Sequence, residues 1–138
     1  MTSQTRPTVT VELEWEGGLR FRGRAGEREM KLDGDSASAV SPVEALALAL
    51  AGCMASDLVH ILVKGRLEPK GLTAHLIAER APEEPRRLVK VDLRFAVRGA
   101  VPADKVERAI TLSREKYCSV WHSLRPDIAF TTSFEVTA

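Results

Sequence analysis

The sequence contains few of the residues and none of the motifs that most metal and nucleotide sites require. Only two of its 138 residues are cysteine. There is no CxxC pair and no cluster of cysteine with histidine, so we expect no zinc site and no other metal. Phosphate-binding glycine loops, the GxSxG elbow and the HExxH motif are also absent, and the residues therefore indicate no cofactor.

An excess of charge of one sign is missing as well. The chain carries 20 basic and 19 acidic side chains, for a formal net charge of +1. Basic and acidic residues are interleaved, and this arrangement argues against a nucleic-acid partner. With 44% hydrophobic and 28% charged residues, the composition is that of one globular domain, which we predict to span residues 1–138.

A secretory signal and a membrane-spanning segment are not expected either. The N-terminal residues lack an apolar stretch, and the most apolar segment, residues 45–55, is too short to cross a bilayer. We therefore expect a cytoplasmic protein without a membrane partner. In that reducing compartment, two cysteines are buried thiols or catalytic and redox-sensing groups more often than a structural disulfide.

The order of elements predicts an α+β fold. Alternation of apolar and polar residues, interrupted by glycine and proline, indicates six strands, and the helical segments show apolar periodicity or capping residues. The predicted strands are 8–15, 19–24, 29–32, 72–79, 88–97 and 128–136, and the helices are 42–64, one that begins at 102, and a short turn at 121–124. This order, βββαββααβ, has no regular alternation of strand and helix.

The first helix is the central one in this prediction. Ser41 is placed as its N-cap, Pro42 as its first residue and Glu44 as the third, which completes a capping box, while Gly65 is a plausible stop. Because the first half is apolar on every side, we expect it to be buried all round. A chain of 138 residues covers such a helix with difficulty, so a dimer partner could help.

The two cysteines are the main candidates for chemistry. Cys53 lies in the middle of the apolar helix beside Gly52, where a substrate or a second backbone could approach closely. Cys118 lies at a junction between helix and loop, a kind of position that often carries function. The simpler interpretation treats both as small core residues, since free cysteine is among the most buried residue types.

The helix itself offers Cys53 no base. Asp57, His60 and Lys64 share its stripe. His60, however, is about 10 Å away along the axis at 1.5 Å per residue, and an anion at Asp57 would raise the pKa of a thiol. We interpret these groups as the point where the helix emerges into solvent. An activating cation must then come from elsewhere, and the predicted strand 19–24 carries three arginines on one face: Arg20, Arg22 and Arg24.

Three segments of the chain resemble the OsmC/Ohr superfamily, in particular its OsmC-like branch of the YhfA type. They are Ser41-Pro42-x-Glu44-Ala45-Leu46, Leu50-Ala51-Gly52-Cys53 and Glu115-Lys116-Tyr117-Cys118-Ser119-Val120. The element order of the whole chain is similar too. The resemblance implies an intertwined homodimer with two central helices wrapped by antiparallel sheets.

The resemblance also implies a thiol peroxidase that acts in oxidative-stress defence. Cys53 would attack an organic hydroperoxide and become a sulfenic acid, and Cys118 would resolve it to a disulfide, later reduced by a dithiol such as a lipoylated protein. In the peroxidases of the family, an acid directly after the proline orients an arginine onto the thiolate. Here Val43 holds that position and Glu44 follows it, on the helix face opposite Cys53. Among the arginines we favour Arg22.

Two other functions stay open at this point. The chain could be a small-molecule-binding dimer with inert cysteines, whose apolar crevice would include Met54 and Trp121. Val43 at the acid position favours that interpretation. A structural or interaction module without any site is the third.

Overall fold

The N-terminal strands form the predicted antiparallel meander. The computed structural model describes residues 5–138, and its first sheet has the order β1 (Glu12–Trp15), β2 (Arg20–Ala25) and β3 (Arg28–Asp33). In register, Trp15 lies opposite Phe21 and Phe21 opposite Leu32. Alternation thus gives the sheet one apolar and one charged face. β1 is shorter than the predicted strand 8–15.

The loop between β3 and the first helix is organised by Asp33, a residue that the sequence analysis did not single out. This side chain is buried, and its carboxylate accepts hydrogen bonds from the backbone N–H groups of Asp35 and Ser38 and from the Ser38 hydroxyl. The Ser38 and Asp35 amides, in that order, are the main causes that lower the pKa of Asp33 to about 2. The carboxylate is therefore ionised at neutral pH and holds the loop together.

Helix α1 (Pro42–Lys64) has the predicted bounds. The capping box is present: the Ser41 N–H donates to Glu44 Oε1 at 2.9 Å, and the Glu44 N–H donates to Ser41 Oγ at 3.1 Å. The stop differs from the prediction, because Arg66, with φ of 62°, takes the left-handed conformation. Leu67 N–H then donates to the Leu62 carbonyl and Arg66 N–H to the Val63 carbonyl, the bonds of a Schellman motif.

Burial of α1 on every side was a wrong prediction for the single chain. One row of residues at four-residue spacing is buried: Leu50, Met54, Leu58 and Leu62. The opposite side is open, with Leu48 61% and Val63 45% exposed. The helix as a whole, unlike the segment 45–55, is long and apolar enough to cross a membrane, although the core helix of a soluble protein passes the same test.

The second sheet contains much of the core. β5 (Leu88–Arg98) is its central strand, antiparallel to β4 (Gly71–Arg80) and parallel to β6 (Ala129–Thr137). The inward residues of β5 are almost fully buried, namely Val91, Leu93, Phe95 and Val97. Helix α2 (Ala103–Leu112) contacts β6 and buries Val106, Ala109 and Ile110, as its apolar stripe predicted.

The chain after α2 is less regular than expected. A π-helical turn (Ser113–Tyr117) follows α2 directly, and α3 (Ser119–His122) begins two residues earlier than the predicted turn. The element order confirms the α+β prediction, with two three-stranded sheets. The prediction that the sheets are antiparallel was wrong for the second one, because β5 and β6 are joined through α2 and pair in parallel. By its internal contacts the chain forms two compact units, which meet in sequence between Leu46 and Ala47. The assignment of residues 1–138 to a single domain stays a prediction.

Candidate active site

Cys118 is held at the end of the π-helical turn. Its backbone N–H donates to the Ser113 carbonyl at 2.8 Å, five residues back, where an α-helix would use a carbonyl four residues back. The next residue begins α3, and Cys118 Sγ caps that helix by accepting from the Trp121 N–H at 3.4 Å. The side chain is completely buried. The irregular turn therefore fixes both the backbone and the sulfur of Cys118.

Strand β6 anchors this segment through Phe130. Arg114 donates from Nη2 to the Phe130 carbonyl at 2.6 Å, and its guanidinium lies 4.9 Å from the centre of the Phe130 ring. The Trp121 ring packs on the same phenyl group with centroids 4.4 Å apart. Contacts on both sides of Cys118 thus tie the turn to the sheet.

Cys53 reaches the same place from α1. Its side chain is only half-buried, and its thiol lies close enough to Cys118 to contribute to the raised pKa of that residue. The helix surface beside it is open. A Cβ added at Gly52 would have no atom within 4 Å apart from those of the adjacent residues and the nearby helix backbone. The two cysteines, 65 positions apart in the sequence, are therefore brought together, one partly accessible and the other enclosed.

The environment of Cys118 keeps its thiol protonated. Burial raises the pKa of Cys118 to about 11, against the opposing effect of the Trp121 N–H hydrogen bond. The Cys53 thiol and the Asp57 carboxylate also raise the pKa of Cys118. At neutral pH the buried member of the pair is a neutral thiol and not a nucleophilic thiolate.

Asp57 has a partner that sequence reasoning missed. The Ser113 hydroxyl, fully buried, donates to Asp57 Oδ2 at 2.7 Å. Asp57 is half-buried, so the interpretation that it marks the emergence of α1 into solvent was wrong, whereas His60 and Lys64 are indeed exposed. The available signal was the position of Ser113, which continues the apolar stripe of α2 at the spacing of one helical turn.

The other predicted site residues have local partners. Arg22 Nη2 lies 3.3 Å from the Glu14 carboxylate across the strand pair, and Arg24 lies 3.0 Å from Glu12. Glu44 is held in the capping box and also accepts a hydrogen bond from the Ser36 hydroxyl, which is the main cause that lowers its pKa. The roles predicted for Arg22 and Glu44 toward Cys53 stay predictions.

The residues that the alternative function invoked lie in different surroundings. Met54 is fully buried in the chain, and Trp121 is half-buried against Phe130. Across residues 5–138, no group of three or more histidine, cysteine and acidic side chains is arranged to hold a metal ion.

Comparison with known proteins adds a family match and several similar structures. The profile of the family described as OsmC-like protein matches residues 33–133. The chain is 40% identical to Protein YhfA of Escherichia coli K12 over 133 residues, which cover 94% of this chain and 99% of the relative. A hypothetical protein from Aquifex aeolicus VF5 is 28% identical with a TM-score of 0.88, over 95% of this chain and 97% of the other.

A more distant structure shares the fold. It is an organic hydroperoxide resistance protein OsmC from Legionella pneumophila, 15% identical, with a TM-score of 0.71 over 96% of this chain and 100% of the other.

Proposed function

The chain belongs to the OsmC-like protein family, and from this premise we propose that it is a thiol-dependent organic hydroperoxide reductase of oxidative-stress defence. The observation that carries the proposal is the proximity of a half-buried Cys53 to a fully buried Cys118, whose pKa it helps to raise. A fold shared with a hydroperoxide resistance protein supports it. We expect the protein to act in the cytoplasm without a cofactor.

Cys53 is the peroxidatic residue in this proposal. Its thiolate attacks the distal oxygen of the hydroperoxide, so that an S–O bond forms and the O–O bond breaks. The products are a Cys53 sulfenic acid and an alkoxide, which takes a proton and leaves as the alcohol. Only this cysteine has an open helix surface beside it, at Gly52, and a substrate needs that access.

Cys118 is the resolving residue. Its sulfur attacks the sulfur of the Cys53 sulfenic acid, the S–S bond forms, and the leaving hydroxyl takes the proton of Cys118 to depart as water. The proton-bound Cys118 does not compete for peroxide, because its raised pKa keeps the thiolate fraction small. A dithiol reductant, such as a lipoylated protein, then returns both cysteines to thiols.

We test the redox pair by counting thiols. One equivalent of an alkyl hydroperoxide added to the reduced protein should lower the free thiols from two to none, with one disulfide recovered by mass spectrometry. The reaction should be fully reversed by dihydrolipoamide. Retention of both thiols after peroxide would contradict the proposal and favour the small-molecule-binding alternative with inert cysteines.

In this proposal a cation beside Cys53 activates its thiol. Arg22 is our candidate and Arg20 and Arg24 are its matched controls, since all three lie at alternate positions of β2. A neighbouring guanidinium lowers the pKa of a thiol. We therefore expect Arg22→Gln to slow the alkylation of Cys53 at neutral pH in a Cys118→Ser background, while Arg20→Gln and Arg24→Gln leave that rate unchanged.

Glu44 is tested in the same assay. If it orients the guanidinium, Glu44→Gln slows the alkylation of Cys53 in parallel with Arg22→Gln. If its function is the capping box alone, Glu44→Gln leaves that rate unchanged, because a glutamine retains the side-chain oxygen at the third helical position.

We propose a homodimer as the working form. The open side of α1 carries the exposed apolar side chains of Leu48 and Val59, and the first sheet leaves Trp15 67% and Leu13 59% exposed. Exposed apolar surface on this scale is typical of an interface. In sedimentation experiments, Leu48→Lys combined with Val59→Lys should give monomers, whereas Ile77→Lys, at a similarly exposed position on β4, should not. A monomeric wild type would contradict the dimer.

A further inference from the structure

The proton of the Cys118 thiol has no direct way into solvent. The side chain has no exposed surface, and its sulfur accepts the Trp121 N–H. Burial keeps the proton on the sulfur at neutral pH, because it raises the pKa of the thiol. In the proposed cycle, Cys118 must nevertheless lose this proton when its sulfur attacks Cys53, since the thiolate is the attacking form. The resolving step therefore requires a proton acceptor close to the buried sulfur.

Asp57 lies where such an acceptor is needed. It follows Cys53 by one helical turn on the same stripe of α1, and its carboxylate is close enough to Cys118 to influence the ionisation of that thiol. The Ser113 hydroxyl donates to Asp57 Oδ2 at 2.7 Å. The backbone carbonyl of the same serine accepts the Cys118 N–H at 2.8 Å. One residue thus ties the carboxylate to the backbone of the resolving cysteine.

The other side of Asp57 is accessible to solvent. The residue is half-buried and lines an open pocket of about 500 Å³ together with His60, Lys64, Arg108 and Tyr117. The titratable and charged groups that face it are these four side chains, from α1, α2 and the π-helical turn, and the two cysteines. Across residues 5–138, Asp57 takes part in no salt bridge. A carboxylate between a buried thiol and water can exchange protons with both.

We propose that Asp57, held by the Ser113 hydroxyl one turn after Cys53, carries the proton of the resolving step. This role rests on the proposed function. When the Cys118 sulfur attacks the Cys53 sulfenic acid, its S–H bond breaks and the proton passes to the Asp57 carboxylate. The electron pair of the sulfur forms the S–S bond, and the S–O bond of the sulfenic acid breaks. The leaving hydroxide takes the proton from Asp57 and departs as water, so that the carboxylate ends the step ionised, as it began.

A purely electrostatic role of Asp57 predicts an effect of the opposite sign. The negative charge of the carboxylate raises the pKa of Cys118, so removal of the charge alone would increase the thiolate fraction and speed the resolving step. Removal of a proton carrier slows the same step. Asp57→Asn distinguishes the two roles, because asparagine has nearly the same size and keeps an oxygen that can accept the Ser113 hydroxyl.

A mixed disulfide isolates the attack of Cys118 from the reaction with peroxide. One equivalent of dithiobisnitrobenzoate labels the accessible Cys53, and release of the second thionitrobenzoate anion reports the attack of Cys118 on that mixed disulfide. We expect Asp57→Asn to slow this second release about a hundredfold at neutral pH, a usual contribution of general acid–base catalysis, and Asp57→Glu to recover part of the rate. Glu115→Gln, which removes an exposed carboxylate of the π-helical turn, should have no effect. An unchanged or faster second release in Asp57→Asn would overturn the proposal.

The pH dependence of the second release is a readout that a merely structural role of Asp57 would not change. With a carboxylate as acceptor, the rate in wild type should vary little across neutral pH. In Asp57→Asn the rate should follow the thiolate fraction of Cys118 and rise about tenfold per pH unit up to the pKa of that thiol. His60→Gln should keep the profile of wild type. Equal slopes for wild type and Asp57→Asn, or a loss of rate in His60→Gln alone, would contradict the role of Asp57.

A parallel experiment with an alkyl hydroperoxide separates this proposal from the proposed function. After rapid mixing, Asp57→Asn should accumulate the Cys53 sulfenic acid, trapped with dimedone, whereas wild type should convert it to the disulfide. If peroxide yields the disulfide equally fast in wild type and Asp57→Asn, the role of Asp57 fails while the reductase function stands. If the mixed disulfide shows the expected dependence on Asp57 but peroxide oxidises neither cysteine, the reductase function fails and the role of Asp57 stands.

Discussion

The two cysteine regions differ in regularity and in access. Cys53 lies within the long regular helix α1, half-buried and next to the open surface at Gly52. Cys118 lies where a π-helical turn gives way to a four-residue helix, with no exposed surface. The same residue type is thus placed once where a ligand can arrive and once where solvent cannot.

This difference is compatible with the two roles that the proposed redox pair requires. The first cysteine must be reached by a substrate, and the second must react only after the first has been oxidised. Burial raises the pKa of Cys118, and a neutral thiol is a poor nucleophile toward free peroxide. In the proposed cycle, oxidised Cys53 would be an electrophile close to Cys118, so the intramolecular reaction would have the advantage of proximity.

The largest expected effect comes from removing the accessible thiol. Cys53→Ser should lower the rate of hydroperoxide consumption by at least ~10³-fold, since the reaction loses its nucleophile. Peroxide loss measured by a ferrous–xylenol orange assay checks this. If Cys53→Ser consumed hydroperoxide at the wild-type rate, the peroxidatic residue would be Cys118 or neither cysteine.

Cys118→Ser should act later in the cycle. The first equivalent of peroxide should still be consumed at close to the wild-type rate, but the disulfide cannot form and turnover with a dithiol should fall. Trapping with dimedone should label Cys53 as sulfenic acid in this variant and only weakly in wild type. Normal turnover of Cys118→Ser with the dithiol would show that Cys118 does not resolve the sulfenic acid of Cys53.

A smaller effect should follow from the hydroxyl that holds Asp57. Ser113→Ala removes the donor to a half-buried carboxylate, and leaving such a group unsatisfied costs about 1–3 kcal/mol. Urea unfolding should show this loss, while Ser119→Ala, at an exposed position, should stay within about 0.5 kcal/mol of wild type. Equal stabilities of the two variants would mean that solvent satisfies Asp57.

The last prediction concerns a dependence of stability on pH above neutrality. The pKa of Cys118 is about 11 in the folded chain and about 8.5 when unfolded. Between these values the unfolded state loses its proton first, so stability falls as pH rises from about 8.5 toward 11. We expect Cys118→Ser to have a shallower decline in denaturant midpoint over this range. Parallel curves for the two proteins would contradict the burial effect.

The helix and the strands could be predicted because their signals are local. Ser41 and Glu44 lie within one turn and define the start of α1, and alternation along β5 identifies its buried side. The left-handed residue at the end of α1 was harder to predict. Arg66 takes that conformation although a glycine, which adopts it more readily, is adjacent at position 65. The two hydrogen bonds of the Schellman motif determine which residue is left-handed. Residue preference alone did not show this.

The contacts around the site join residues that are far apart in the sequence, and local sequence patterns do not predict such contacts. Asp57 and Ser113 are 56 residues apart, and periodicity can show that each faces inward but not that they meet. The apolar first half of α1 was interpreted as a buried core helix. Hydrophobicity indicates that burial of a surface is favourable, but it does not indicate whether the same chain or a second chain covers that surface.

The π-helical turn makes the reach of Cys118 depend on the length of the chain. A π turn contains one residue more than an α turn would need to close, as the bond from Cys118 N–H to the Ser113 carbonyl shows. Deleting one residue from 114–116 would allow an ordinary helix to continue and would rotate the cysteine by about 100°. For anyone who grafts this cysteine pair into another protein, the count of residues between Ser113 and Cys118 is therefore as much a design parameter as the cysteines themselves.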